Sequence, residues 1–215
     1  PGHPLSDVPK NYHERSIIDY AEDVHAVASK IGEPLIILGH SMGGRVALEY
    51  ASKYETVATI CIGPSAPKGC GVPSRTDLKV PTGGALVTPQ WMTKKGFLGF
   101  MFAGMPGGLN EAASPEILEW SWKHVGNESP KAMYELCANL PLNNRTVSFP
   151  VAIFTGQYDA AHIKADKFVA DYVGADYIVL FGAVHAAHLQ KTWKKHADKI
   201  GVWLRSQALP WWEQY

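Results

Sequence analysis

The stretch PLIILGHSMGGRVALEY, residues 34–50, decides how this chain is read. Pro34 to Leu38 is a short, unbroken apolar run bounded by Pro and Gly, the pattern of a strand buried on both faces. From Met42 the pattern changes to helical periodicity and good helix formers, through Arg45, Val46, Leu48, Glu49 and Tyr50. A strand therefore becomes a helix within about two residues, with Ser41 at the corner. Gly39 and Gly43, two residues to either side, let the two arms approach closely. A serine so placed projects beyond the strand end, beside amides at the start of the helix. The N–H of Met42 is then a candidate oxyanion donor. The plainer alternative is a glycine-rich turn whose serine only caps the helix.

Bulk properties narrow the classes. With 215 residues the chain fits one domain, or one domain carrying a large insertion. Hydrophobic residues at 46% and charged residues at 19% describe a globular protein with a sizeable core. Twenty basic and twenty acidic side chains cancel and form no basic run, so neither nucleic acid nor an anionic membrane surface is an expected partner. No apolar stretch reaches spanning length. Cys61, Cys70 and Cys137 are odd in number and lack metal-like spacing, which points away from a disulfide framework and towards a reducing, cytoplasmic compartment.

Along the chain, residues 1–13 read as a loop and Ser16 to Ile31 as an amphipathic helix stopped by Gly32. Val57 to Ile62 reads as a second strand, Pro150 to Thr155 as a third and Tyr177 to Phe181 as a fourth. Helices are expected near Ile163–Val173 and from about His188 to Ser206. Strands alternating with helices predict an α/β architecture with a parallel sheet and right-handed crossovers. Between the second and third strands the character changes. Trp91, Phe97, Phe100, Met101 and neighbours form an apolar cluster, and helical stretches follow near Pro115–Val125 and Pro130–Leu140. This divides the chain into a first core part (residues 1–66), a mostly helical lid insertion (67–146) and a second core part (147–215).

In parallel α/β sheets function gathers at the carboxyl ends of strands. A nucleophilic Ser41 therefore needs a base and an acid just past other strand ends. Asp159 follows the third strand in Gly156-Gln157-Tyr158-Asp159, and His185 follows the fourth in Gly182-Ala183-Val184-His185. His162 and His188 are rival bases, and His40, beside the serine, is a candidate pocket residue along with Trp91, Phe97 and Met101.

Here the chain resembles the α/β-hydrolase superfamily, in particular its lidded serine esterase-like members. GHSMGG at residues 39–44 is similar to the family's nucleophile elbow, FTGQYD at 154–159 to its acid loop, and GAVHAAHLQ at 182–190 to its histidine loop. Val184 departs from the glycine that commonly precedes the histidine. PGHPLSD at residues 1–7 resembles the loop after the family's fourth strand, with Pro4 where a glycine is frequent. The resemblance implies the chain order Ser41, Asp159, His185 as a catalytic triad, His188 as a structural residue opening the final helix, and acyl transfer without a metal or cofactor on a small-molecule ester, lactone or related substrate. Carbon–carbon bond hydrolases, cofactor-free haloperoxidase-like members and non-enzymatic ligand binders share these motifs. A serine at position 41 argues against the family's carboxylate-nucleophile members. The resemblance also implies earlier strands and a second oxyanion donor ahead of Pro1, so a preceding segment or a second chain is expected to cover the apolar strand at 34–39.

Overall fold

The computed structural model describes residues 6–33, 35–74, 93–144, 147 and 150–207. Four parallel strands, β1 (Ile36–His40), β2 (Ala58–Ile62), β3 (Val151–Gly156) and β4 (Asp176–Leu180), lie in the order β1-β2-β3-β4. Each strand is followed by helix or loop before the next, so sequential strands are also spatial neighbours. The registers His40↔Ile62, Ile62↔Phe154 and Gly156↔Leu180 bring all four carboxyl ends to one edge.

Period-two alternation in the strands builds two cores. Cys61 and Ile153 face one side, against Ala47 and Leu48 of α2 (Met42–Ala51) and Val169 and Val173 of α7 (Ile163–Val173). Ile60, Ile62, Ala152 and Phe154 face the other, against Trp203 of α8 (Trp193–Ser206). Helix α1 (Ile17–Ile31) packs on α2 through Ile17, Tyr20 and Ala21 against Val46 and Tyr50. Its ends are written in the sequence. Ser16 and Asp19 form a capping box, and Gly32 closes the helix at φ 71°.

Helices α3 (Lys94–Phe102), α4 (Leu109–Ala112), α5 (Pro115–Lys123) and α6 (Pro130–Cys137) lie between β2 and β3 in the chain. They attach at two places. Leu98, Phe102, Ala112, Ala113 and Leu118 pack against Val184 and Ala186, while Ala132 of α6 joins the cluster of α1 and α2. Val184, which stands where a glycine is common in the family, is fully buried in the first of these contacts. Its φ lies outside the left-handed region, so no glycine is needed there.

Two expectations are corrected. The final helix opens at Trp193, not near His188, which sits in a separate 3-10 turn over Ala187–Leu189. Three residues separate the two, the first of them Gln190. Its backbone is extended, and its side chain turns back to accept from the Val184 N–H at 2.8 Å and donate to the Gly182 carbonyl at 3.1 Å. The second concerns β1, which is not buried on both faces. Its outer edge has no partner strand among the described residues, and Leu38 is 54% exposed. Among the described residues no helix is long and apolar enough to cross a membrane.

Candidate active site

The corner between β1 and α2 has the geometry its sequence requires. Ser41 adopts φ 54° and ψ −119°, a conformation costly for a non-glycine residue. It is held there by the Ser41 N–H to the Ile62 carbonyl at 2.9 Å and by the Gly44 N–H to its own carbonyl at 3.0 Å. A Cβ at Gly39 would lie 2.1 Å from the Gly43 carbonyl oxygen, so only glycine fits this crossing of strand and helix. The Ser41 side chain caps nothing, which removes the plain-cap alternative. Met42 is the first helical residue, and its N–H belongs to the turn of amides that a helix leaves without internal acceptors.

Past the ends of β3 and β4 the other two candidates meet. His185 Nδ1 lies 2.6 Å from Asp159 Oδ2, and both side chains are almost wholly buried. Gly63, directly after β2, makes room for the pair. Its φ is 53°, and a Cβ there would stand 3.1 Å from His185 Nδ1 and 3.2 Å from Asp159 Oδ2. Burial alone would raise the Asp159 carboxyl, but hydrogen bonds from His162 and His185 outweigh it and hold the group below its ordinary range. Burial lowers His185, and Asp159 only partly offsets this. His185 Nε2 is buried and meets no hydrogen-bond partner, Ser41 included. Nucleophile–base contacts of this kind often tighten only when substrate is bound.

Four imidazoles crowd this end of the sheet. His40 Nε2 bonds the His185 backbone carbonyl at 2.9 Å, and its ring lies 4.6 Å from that of His185 and 4.5 Å from that of His188. Burial first, then these neighbours, lowers His40 to about 3, so it is a neutral brace for the histidine loop. His188 is lowered by burial and by His185. His162 Nδ1 lies 3.0 Å from the other Asp159 oxygen, and its ring stacks on His185 at 4.4 Å and 13°. Neither rival base displaces His185 from the carboxylate oxygen it faces.

Asp159, His162 and His185 also have the composition of a metal site, with potential ligand atoms within 4.8 Å of one another. Their arrangement suits hydrogen bonding instead. Two parallel, stacked rings cannot both aim an in-plane lone pair at one ion, and each Nδ1 already faces its own carboxylate oxygen.

Of the pocket candidates, Trp91 lies outside the described residues. Phe97 is half-buried against the α3–α5 cluster, 5.9 Å from the Trp122 ring. Met101 packs in the same cluster, and its carbonyl accepts the Ala186 N–H at 2.8 Å, tying α3 to the histidine loop. Among the described residues the lid-region aromatic that reaches the site is Phe100, which the sequence places in the apolar cluster but not among the pocket candidates. Its ring lies 4.7 Å from His185 and 6.0 Å from His162, and the residue is 41% exposed. Helical spacing could have found it, because residue 100 faces away from Leu98 and Phe102, which fill the core.

A sequence profile described as the alpha/beta hydrolase family matches residues 1–195. No curated protein matches significantly. Among solved structures, an esterase from Thermogutta terrifontis superposes with a TM-score of 0.69 at 19% identity, covering 95% of this chain and 77% of that one. A bromoperoxidase from Bacillus anthracis gives 0.71 at 15%, covering 95% and 79%. Est816, described as an N-acyl homoserine lactone degrading enzyme, gives 0.67 at 20%, covering 95% and 79%. At these identities the likeness speaks for the fold.

Proposed function

The chain belongs to the alpha/beta hydrolase family, and from that premise we propose that it is a serine hydrolase cleaving a small carboxylic ester, lactone or related acyl substrate. The observation that carries this reading is the buried 2.6 Å contact between His185 Nδ1 and Asp159 Oδ2, at the same sheet edge as the strained Ser41 corner. An ionised carboxylate only accepts, so the His185 proton sits on Nδ1 and the Nε2 lone pair is left for the reaction. Ser41 Oγ attacks the acyl carbon while His185 Nε2 takes its proton. The Met42 N–H donates to the oxygen that gains charge. The imidazolium then gives its proton to the leaving oxygen, and Asp159 stabilises the transient positive charge. Water, deprotonated by the same Nε2, releases the acid and restores Ser41. Phe100 gives the imidazole an apolar neighbour suited to an uncharged acyl group.

A fluorophosphonate probe followed by intact mass tests the reading. One adduct is expected, absent in Ser41→Ala and formed at least about a hundredfold more slowly in His185→Ala. Turnover of 4-nitrophenyl esters should fall in parallel. Because burial lowers His185, the acidic limb of kcat/KM should lie below its ordinary 6.5. Folded protein that takes no adduct and turns over no ester would overturn the proposal.

A further inference from the structure

We propose that His162 is a positioning residue of this site. By giving its Nδ1–H to Asp159 Oδ1, it fixes which carboxylate oxygen serves His185 and limits how much of its charge the carboxylate offers to that imidazole. The inference rests on the catalytic reading of Ser41, Asp159 and His185 above.

The geometry divides the carboxylate cleanly. Oδ1 accepts the His162 N–H at 3.2 Å and faces its Nδ1 at 3.0 Å, while Oδ2 faces His185 Nδ1 at 2.6 Å. Since the carboxylate only accepts, both rings carry a proton on Nδ1. Asp159 is thus bridged by two imidazoles, one oxygen each. It cannot rotate to offer His185 the other oxygen without breaking the His162 contact. The His162 ring, 14% exposed, lies parallel to that of His185, and Phe100 covers part of both.

Helix capping does not account for the ring. His162 is the residue just before α7, but its side chain caps no helical amide, and its backbone N–H already reaches Oδ1 whatever side chain stands there. The ring Nδ1–H is therefore an addition to the site. Its consequence has a definite sign. Each donor that a carboxylate satisfies elsewhere makes it a weaker partner for the imidazolium, and the electropositive neighbour itself disfavours a charge on His185. Both effects act against protonation of His185, keeping it a free base at lower pH. The groups facing His185 are Asp159 from the β3 loop, His162 from the start of α7, His40 from the end of β1 and His188 from its own loop. Behind the pair, the Asp159 charge helps burial to raise the carboxyl of Asp166 of α7.

The test is a pH titration of the His185 ring nitrogens by NMR on 15N-histidine-labelled protein, which requires no turnover. His162→Phe keeps a stacked ring without the donor, His162→Ala removes both, and His162→Asn keeps a donor. The His185 midpoint is expected to rise by roughly half to one pH unit in the Phe and Ala variants and to stay near the wild-type value in Asn. The acidic limb of kcat/KM should move upward by the same amount, with kcat reduced about tenfold in the donor-free variants and largely recovered in Asn. Unchanged midpoints in both Phe and Ala would overturn the proposal, as would a shift in Asn equal to theirs. If wild-type protein hydrolyses no ester but the midpoints move as stated, the catalytic reading fails and the bridging role of His162 stands.

Discussion

Gly63 holds no chemistry of its own, yet the His185–Asp159 contact depends on it. It combines a left-handed backbone with a position where a Cβ would press on both partners at 3.1–3.2 Å. Gly63→Ala should therefore cost twice, once in backbone strain of about 1 kcal/mol and once in a displaced imidazole. The expected result is a slowing of fluorophosphonate labelling by at least about tenfold, from the sensitivity of catalysis to small misplacements, with a fall in Tm of only a few degrees. A labelling rate equal to wild type would show that the loop moves aside without disturbing the pair. That the second strand ends at Ile62, just before Gly63, was legible in the sequence. That its missing side chain makes room for groups about 96 and 122 residues further on was not, because the clash exists only after β3 and β4 are laid beside β2.

At the scale of elements, α2 does more than present Ser41. Its Arg45 and Glu49 form a 2.7 Å pair with side chains only 5% and 4% exposed. Arg45 also donates to the Leu140 and Pro141 carbonyls at 3.1 Å each, and Glu49 accepts the Asn143 N–H at 3.1 Å. The helix that positions the nucleophile thus holds the segment after α6, just before the chain returns to β3. Glu135 of α6 closes the same pocket, accepting the Ile17 N–H at 2.7 Å. Glu49→Ala would leave a buried guanidinium without its carboxylate and is expected to destabilise the fold by about 3–5 kcal/mol in urea denaturation. The double change Arg45→Met with Glu49→Leu should recover most of that loss, because no charge is then left unpaired. The i,i+4 spacing of Arg45 and Glu49 was visible in the sequence, but the same spacing on a helix is most often a solvated surface pair.

For the whole molecule the clustering of neutral imidazoles sets the response to acid. His40, lowered by burial to about 3, with His185, His188 and His196 also lowered chiefly by burial, remains unprotonated in the fold at pH values where the unfolded chain takes up protons. Stability from these groups is present above their ordinary value of 6.5 and is lost as pH falls towards the folded values. Asp166 works in the opposite sense. It is fully buried, and burial raises it well above its ordinary value, so acid favours the folded state at this site, as it does at Glu135, which burial also raises. Four lowered histidines against two raised carboxyls, Asp166 and Glu135, leave a net loss. Urea midpoints should decline from pH 7 to pH 4, and His40→Asn should flatten the slope by up to about 1.4 kcal/mol per pH unit, the value of one proton. A flat profile in the unmutated protein would contradict the buried-neutral assignment.

The sequence by itself determined the strand-to-helix corner at Ser41, the alternation of strands and helices, and the order in which serine, aspartate and histidine follow strand ends. These are local matters: backbone permissiveness at Gly39, apolar runs of strand length, and caps such as Ser16 with Asp19 act between residues a few positions apart. Only the tertiary structure decided which oxygen of Asp159 faces which histidine, and that Phe100 rather than Phe97 or Met101 reaches His185. Those outcomes depend on how separately formed elements dock, a choice made by packing over the entire core and written in no single stretch of the chain.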